Sequence, residues 1–568
     1  SILAPCLLCA SLLTFLHMSS MDPVPKQVEN NAEAAKNVGL RARDAANLGV
    51  MMHFFTEGVI VGSLPGVFTG FLLVYLSLPA NIVLTAFGLA KLPVTFSFFL
   101  GLVSDCTPIR GRHRQPYMIL GWGITSSALL FLAAMSPPAP YFCLGADGAY
   151  DMMIPPCNPE ARTGYWRFVL GIALIALGLA VSTAGASGLV IEYAKREKDE
   201  VRGSGQMTIR IVFMLGTLCS SFLQGFGFNG KLYNGTFDQA YQLSIQSYFV
   251  VILLLAVLTF CLCCFRVHEL LASEEFELDL ESDVKSSDGL VSNISLQEHF
   301  RNSWKLLSSK NFFCVAMFFF WQVCLAQVKS PALTFVGQTW AGVRTLQSQV
   351  ANVLGIVMSA LAFWAAKKYF LHTDWRKILA VTLVATVVLD AIPQLLTIFN
   401  VVRNQYFYLG EHLPEVIPRA AASLVQDLLV VELADETNAG LVCGIILSVS
   451  YMADPFAKAV SVQVFSLFGS NLSNVMNFVE DSTAFRGEVA LSYLLDMALN
   501  LSILLLLPLI PRQRADTQRR KSEWSRHMGY AIATVLLLTL ALLYALLVDF
   551  AALVPDLACS KFVGGPGC

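Results

Sequence analysis

The sequence has few charged residues. Asp, Glu, Lys and Arg make up only 14% of its 568 residues, whereas soluble globular proteins carry about 25%. This deficit excludes an ordinary soluble enzyme. The chain also has no P-loop, nucleophile elbow or HExxH sequence, which mark phosphate-binding, hydrolytic and zinc-dependent sites. The absence of a P-loop argues against an ATP-driven pump, and we expect neither enzymatic activity nor a cofactor.

A metal-binding pattern is also missing. The chain contains 14 Cys, but no two CxxC motifs stand at the spacing of a zinc site. Most of the Cys lie in apolar segments, where a thiol acts as a small apolar side chain. Cys143 and Cys157 share one polar loop and are candidates for a disulfide. The net charge of -2 indicates no particular partner, and we expect no nucleic acid.

What the sequence does have is a series of apolar runs of about 20 residues, the length that crosses a bilayer. Three Gly, at 62, 66 and 70, recur every four residues in the first run and predict close helix packing. The runs predict thirteen membrane spans, at residues 49–76, 81–102, 116–136, 164–188, 206–226, 245–265, 311–335, 347–366, 377–399, 415–434, 440–468, 488–510 and 529–550.

A near-repeat divides these spans into two sets of six. Leu189–Ala194 (LVIEYA) recurs as Leu429–Ala434 (LVVELA), and the two copies end the fourth and the tenth span. Two parallel six-helix halves with a substrate site between them are typical of a large transporter superfamily. The domains are an N-terminal segment 1–48 (1–20 an uncertain leader), a first half 49–265, an acidic linker 266–310, a second half 311–511, and a basic loop, extra helix and tail 512–568.

The distribution of Lys and Arg predicts the orientation of the chain. Basic residues gather in the loops after the second, fourth, eighth and twelfth spans, which places these loops and the N-terminus in the cytoplasm. The linker 266–310 is acidic and rich in Ser, and we expect it to be flexible and solvated. The opposite loops contain two glycosylation sequons, at Asn234 and Asn471. The outer sequons and Cys favour the plasma membrane.

The loop after the second span has a distinctive spacing. Gly101 is followed by Asp105 and then by Arg112 and Arg114. The Asp could pair with an Arg or cap the next helix, and so hold two helices together in one conformational state. This loop resembles the gating loop of the major facilitator superfamily. A topology signal alone would explain the Arg residues, but topology does not require the Gly and Asp spacing.

Longer motifs resemble the folate–biopterin transporter family. They run from Lys91-Leu92-Pro93 to Gly121-Trp122, and from Glu192-Tyr193-Ala194 through Arg202-Gly203 to Arg210. The resemblance extends from about Gly49 onward and implies a proton-coupled carrier of folates or pteridines. The family often places acids before the Glu that ends the fourth span. Here Thr183–Gly188 contains none, while the second half keeps Asp427, five residues before Glu432.

Ionisable residues inside spans are costly and mark substrate or proton paths. The cations Lys91, Arg210 and Lys329 are candidates to bind an anionic substrate such as the glutamate tail of folate, since Arg can grip a carboxylate bidentately. Asp427 is a candidate to receive the N–H donors of a pterin. The alternatives are ion pairs within one half, and for Lys329 a side chain that extends to the membrane surface.

The acids in the spans are candidates for proton coupling, because a buried carboxyl takes up protons near neutral pH. They are Glu57, Asp390, Asp427, Asp454 and Asp496. Asp454 and Lys458 are four residues apart, and a self-neutralised pair is the preferred interpretation there. His53 and Glu57 have the same spacing and favour a local hydrogen bond over a proton relay. Glu192 and Glu432, the matching acids of the two repeated segments, are candidates for gating.

The sequence therefore predicts an all-α polytopic membrane protein of the major-facilitator type, with two six-helix halves and an extra C-terminal helix. We expect a monomeric secondary transporter of folates or pteridines that uses protons and works by alternating access in a lipid bilayer. The alternatives are a carrier of the same fold for another small metabolite, such as an amino acid or a nucleoside-like cofactor, and a non-transporting membrane receptor.

Overall fold

The structure is a computed structural model that consists mainly of long helices. It describes residues 47–563 except for a set of short gaps and part of the linker. The residues outside the description are 1–46, 146–147, 149, 153, 196–203, 238–241, 268, 270–295, 370–372, 434–438, 469–471, 555–556, 558–559 and 564–568.

Helices occupy all thirteen predicted spans, and we number them α1–α13. They are α1 Leu48–Gly66 with a π-helical continuation Val67–Tyr75; α2 Ala80–Lys91, Leu92–Phe96 and Ser97–Cys106 in succession; α3 Gln115–Ala134; α4 Tyr165–Lys195; α5 Ser204–Gly227; α6 Ile245–Phe265; α7 Lys310–Gln327, resumed at Ala332–Phe335 and Val336–Trp340; α8 Thr345–Tyr369; α9 Trp375–Ile398; α10 Val416–Leu433; α11 Ala439–Phe465; α12 Thr483–Ser502 with Ile503–Leu509; and α13 Met528–Leu553.

Shorter elements lie between these helices. They are the hairpin strands β1 Cys143–Leu144 and β2 Tyr150–Asp151, the helices Leu296–Leu307, Gln405–His412, Val475–Glu480 and Arg514–Glu523, and 3-10 turns at Pro159–Arg162, Lys231–Tyr233, Leu413–Glu415 and Lys561–Val563.

Ten helices of the described chain are long and apolar enough to cross a membrane, or eleven if the two bent parts of α7 count as one span. Helices α8 and α10 are not part of this count, because their side chains are described only in part.

Helix α1 packs closely on α5 because both helices place Gly at their contact. A Cβ built on Gly58 would lie 2.3 Å from the Phe213 carbonyl oxygen, and one on Gly216 would lie 2.1 Å from the Phe55 carbonyl oxygen. Gly62, Gly66 and Gly70 continue the same face, opposite Ser220, Gln224 and Phe228. Small residues that let two backbones approach are the usual basis of helix association in membranes.

Replacing Gly58 with Val is expected to destabilise the protein. The new side chain would meet the backbone of α5, which cannot move aside as a side chain can, and overpacking of this kind costs about 1–3 kcal/mol or more. Thermal unfolding of the detergent-solubilised protein measures the effect. Gly487→Val is the matched control, because nothing lies within 4 Å of a Cβ at Gly487. Equal melting temperatures for the two variants would contradict this packing.

The two six-helix halves meet along two pairs of helices. Helix α2 of the first half packs on α11 of the second, and α5 packs on α8. The extra helix α13 lies against α11 and α2, so it contacts both halves. We call the end of the bundle that carries Cys143 and Cys157 the disulfide end, and the opposite end, which carries residues 107–114, the linker end.

Hydrogen bonds join the halves at the disulfide end. The Asn234 side chain donates to the Val343 carbonyl at 2.9 Å and accepts from Arg344 at 2.9 Å. The Thr345 hydroxyl donates to the Tyr233 carbonyl at 3.0 Å, and the loop before α2 bonds to the loop after α11 through Ala80 N and Ser473 O. The halves are therefore in contact around this end of the bundle.

The linker differs from the flexible solvated segment that the sequence predicts, at least in its described parts. Residues Leu296–Leu307 form a helix that contacts α7, α13 and the last part of α2. Glu269 is buried, and its carboxylate accepts hydrogen bonds from the backbone N–H groups of His113, Arg114 and Gln115 at 2.6–2.7 Å. A carboxylate at a helix N-terminus satisfies orphan N–H groups and complements the helix dipole. The start of the linker is thus fixed to the start of α3.

A charged cluster closes the second half at the disulfide end. Asp481 accepts two hydrogen bonds from Arg403, at 2.6 and 3.0 Å, and two from Arg486, at 2.8 and 2.6 Å. Burial by itself would raise the pKa of the Asp481 carboxyl, but the hydrogen bonds from Arg486 and Arg403 outweigh it and lower this pKa from 3.8 to about 2. The cluster ties the loop before α12 to the loop after α9.

Asp481→Asn is expected to lower the melting temperature at neutral pH. Because the pKa of Asp481 is lower in the folded than in the unfolded chain, its stabilisation is complete above about pH 4. It is lost as the pH falls through the folded value of about 2. Melting temperatures of the wild type and D481N should therefore converge as the pH is lowered below about 4. A difference that stays constant with pH would contradict the ionic origin of the contact.

Candidate functional site

The first group of ionisable residues lies inside the first half, where α1, α3 and α4 meet. His53 is fully buried, and its Nδ1 lies 3.0 Å from the Trp122 indole nitrogen and 3.0 Å from the Ser182 hydroxyl. His53 Nε2 is 3.7 Å from Glu57 Oε2. Thr183 donates to Glu57 Oε1 at 2.7 Å. The carboxyl of Glu57 thus has one hydroxyl partner and one imidazole neighbour.

The partners of His53 determine its tautomer. The Trp122 indole nitrogen can only donate, so Nδ1 of His53 must accept, and the ring proton of a neutral imidazole lies on Nε2. That nitrogen points toward Glu57, which is itself partly exposed. The arrangement allows Glu57 to take or lose a proton beside a neutral His. Thr183 begins the stretch of α4, residues 183–188, that contains no acidic residue. Glu57 of α1 therefore supplies a carboxyl group beside this stretch.

The second group joins the two halves. Lys91 of α2 reaches Asp454 of α11, with Nζ 3.0 Å from Oδ2. Lys458, one turn beyond Asp454, lies 3.1 Å from the same oxygen, as the spacing of four residues predicts. Asp454 and Lys458 are buried, whereas the Lys91 side chain is 54% exposed. Two cations therefore share one carboxylate near the middle of α2 and α11.

The third group lies within the second half. Tyr493 of α12 donates to Asp390 of α9 at 2.9 Å, and Asn500 donates to the buried Asp496 at 3.1 Å. Asp496 interacts electrostatically with Lys329, which lies between the two bent parts of α7, and with Asp390. The Lys329 side chain is exposed. Three predicted site residues are thus brought together around α7, α9 and α12.

The gating candidates lie at the linker end. Arg112 bonds to Gln115, and Arg114 bonds to the Ser104 hydroxyl at 3.2 Å, across the turn from α2 to α3. Glu432 at the end of α10 pairs with Arg514 at 3.1 Å and accepts from Gln518 at 3.2 Å. Gly101 lies in α2 with open space at its Cβ position. The side chains of Asp105 and Glu192 lie outside the described part of the structure.

The remaining candidates lie elsewhere in the bundle. Arg210 is an exposed residue of α5. Asp427 belongs to α10, but its side chain lies outside the description, as does residue Asn471. Cys143 and Cys157 form a disulfide, with their Cα atoms 5.2 Å apart. The side-chain nitrogen and oxygen of Asn234 both form hydrogen bonds with the second half. A glycan on Asn234 would therefore have to displace a contact between the halves.

Sequence reasoning missed two acids. Asp549 of α13 is fully buried beside Lys458, and Glu269 caps α3 from the linker. A lone Asp in an otherwise apolar span is a recognisable signal for Asp549. Glu269 lies in the polar stretch that follows the Cys-rich end of α6. No sequence rule connects it to Arg114, which lies 155 positions earlier in the chain.

Comparisons with known proteins agree with this architecture. A family model described as PUCC protein matches residues 70–286. The chain is similar to "Probable folate-biopterin transporter 4" of Arabidopsis thaliana, with 24% identity over 211 residues, which cover 36% of this chain and 35% of that relative. The aligned part is thus about a third of the relative's length.

Solved structures with the same fold are transporters. A D-xylose–proton symporter aligns with a TM-score of 0.52 at 13% identity, over 82% of this chain and 97% of its own. A structure from work on substrate recognition in proton-dependent oligopeptide transporters aligns with a TM-score of 0.54 at 13% identity, over 84% and 99%. The chain therefore has the major-facilitator fold and resembles the folate–biopterin transporters. These relatives are transporters and not enzymes, in agreement with the sequence prediction.

Proposed function

We propose that this major-facilitator chain carries folates or pteridines across a membrane by alternating access, driven by protons. The observation that carries the proposal is the ion pair between Lys91 and Asp454, which joins the two halves near the middle of α2 and α11. A contact of this kind has to break and reform when two halves rock about a central site. The resemblance to folate–biopterin transporters supports the class of substrate.

The ion pair suggests how a proton and an anionic substrate are coupled. A proton that binds to Asp454 removes the charge that holds Lys91. The half-exposed Lys91 can then pair with a carboxylate of the substrate, such as the glutamate tail of folate. One proton and one substrate carboxylate enter the site together, so its net charge does not change. An uncompensated charge in this environment would be costly.

Glu57 is proposed as a second proton-binding group. It is partly exposed, and its partners are a hydroxyl and a neutral imidazole rather than a cation. A carboxyl without a cationic partner gains a proton more readily than one in an ion pair. Asp390, Asp427 and Asp496 remain candidates in the second half. Arg210, Lys329 and Asp427 remain candidates for contact with the substrate.

The orientation follows the distribution of basic residues. We place the linker end and the N-terminus in the cytoplasm and the chain, as a monomer, in the plasma membrane. In this orientation the halves are joined on the outer side, through Asn234, Val343 and Arg344. Arg112, Arg114 and Glu432 then lie at the cytoplasmic surface, where their pairs hold neighbouring segments in one conformational state.

Competition for uptake tests the class of substrate. Cells that express the chain are given labelled folate at acidic and at neutral outside pH, with unlabelled biopterin, an amino acid mixture, a nucleoside or xylose as competitors. We expect saturable uptake that is faster at acidic pH and is reduced by biopterin alone among the competitors. Uptake inhibited by the nucleoside or the amino acids would reassign the substrate. No folate uptake by surface-exposed protein would contradict the proposal.

A further inference from the structure

The extra helix α13 carries one carboxyl group into the interior of the bundle. Asp549 is fully buried, and neither of its carboxyl oxygens has a hydrogen-bond partner among the described residues. It lies beside the small residue Gly88, where a Cβ would be 3.5 Å from Asp549 Oδ1 and 3.7 Å from Lys458 Cβ. The carboxyl of Asp549 therefore lies where α2, α11 and α13 meet.

The charged groups around Asp549 belong to the contact between the halves. Helix α11 presents Lys458, which interacts electrostatically with Asp549, and Asp454, which binds Lys458. Helix α2 contributes Lys91, bound to Asp454. The Tyr165 hydroxyl of α4 bonds to the backbone at the last turn of α13. Asp454 Oδ1 is also buried without a partner among the described residues.

While Lys458 is bound to Asp454, an ionised Asp549 carboxylate would have no hydrogen-bond donor among the described residues. Burying a charge without hydrogen bonds is among the most costly arrangements in a protein, and more so at membrane depth. Lys458 interacts electrostatically with Asp549, but its ammonium group donates to Asp454. A neutral, protonated Asp549 satisfies these constraints, and the two lysines then share the single negative charge of Asp454.

We propose that Asp549 is a proton-binding site that exchanges its proton with Asp454 while Lys458 turns from one carboxylate to the other. The proton leaves the Asp549 carboxyl and bonds to Asp454 Oδ1, and Lys458 pairs with the Asp549 carboxylate. Lys91 thereby loses its partner across the halves and becomes available to an anionic substrate. The transfer itself conserves the protons and the charge of the cluster. The proton that accompanies the substrate is the one that Asp549 has taken up from solution, and it leaves from Asp454 when the substrate is released. This step rests on the proposed proton-coupled transport and assigns α13 a part in it.

Infrared spectroscopy tests the protonation of Asp549 without any substrate. The carbonyl stretch of a protonated carboxyl is separate from that of a carboxylate, and it shifts in heavy water. We expect the spectrum of purified wild-type protein at neutral pH to contain one such band that is absent from Asp549→Asn. Asp481→Asn is the matched control, because two Arg keep Asp481 ionised, and the band should persist. An unchanged band in D549N would overturn the proposal.

A second variant covers the case in which D549N does not fold. Asp549→Glu keeps the carboxyl, and we expect the band to shift rather than disappear. A band that neither shifts in D549E nor disappears in D549N excludes Asp549 as its source.

In transport, D549N should retain exchange of labelled for unlabelled substrate but lose stimulation by acidic pH. If the chain carries no folate, the infrared result still stands, so failure of the proton site and failure of the proposed substrate are distinguishable.

Discussion

Asp454→Asn is expected to abolish net transport and to destabilise the protein. The substitution removes the only carboxylate that Lys91 and Lys458 bind directly among the described residues. Breaking a buried ion pair by removing one partner costs about 3–5 kcal/mol, because the other charge stays buried. The cost here should be at the lower end, since Asp549 lies beside Lys458 and can form an ion pair with it by losing its proton. Uptake of labelled folate and the melting temperature are the two measurements.

Two control variants separate stability from transport. Lys91→Met removes a half-exposed side chain and leaves the pair between Asp454 and Lys458 intact. We expect a melting temperature close to that of the wild type but little uptake. The double variant with Asp454→Asn and Lys458→Met leaves no unpaired buried cation, and we expect it to regain stability without regaining uptake. Normal uptake by K91M would show that the contact between the halves has no role in transport.

Glu57→Gln is expected to remove the dependence of uptake on acidic pH. The Gln side chain has nearly the same shape and can still accept the hydrogen bond from Thr183 through its amide oxygen. The fold should therefore be preserved, whereas the side chain can no longer gain or lose a proton. Uptake at acidic pH should fall to the rate at neutral pH, while exchange of labelled for unlabelled substrate continues. Uptake measured at both pH values checks this result.

The control for this prediction is an acid outside the bundle interior. Glu523 is 62% exposed in the basic helix after α12, and Glu523→Gln should leave the pH dependence unchanged. If E57Q keeps the full stimulation by acidic pH, then Glu57 is not a coupling group. The role would then pass to the carboxyls of the second half, Asp390, Asp427 and Asp496, or to the cluster around Asp454.

The helices were predictable from the sequence because a bilayer imposes a simple rule. A span needs about 20 apolar residues with few charges, and each predicted run coincides with a helix from α1 to α13. The short repeat that ends at Ala194 and Ala434 predicted the division into two halves. The pairs within one helix, His53 with Glu57 and Asp454 with Lys458, also follow from spacing, since residues four apart share a helix face.

Contacts between distant segments were not predictable in the same way. Lys91 and Asp454 are separated by more than half of the chain, and each has a plausible partner within its own half. Only the packing of α2 on α11 brings them together. Asp549 depends on the position of α13, which follows neither from the repeat nor from the six-helix pattern. Glu269 lies in a segment that its composition predicts to be solvated, although its carboxylate is fixed to the start of α3.

Transport by the purified protein in lipid vesicles tests the central proposal most directly. Vesicles are loaded with neutral buffer, an acidic outside solution imposes an inward proton gradient, and the uptake of labelled folate is followed with and without a protonophore. We expect folate to accumulate above its outside concentration and the protonophore to abolish that accumulation. Uptake no greater than in empty vesicles, or accumulation that the protonophore leaves unchanged, would contradict proton-driven transport of folate by this chain.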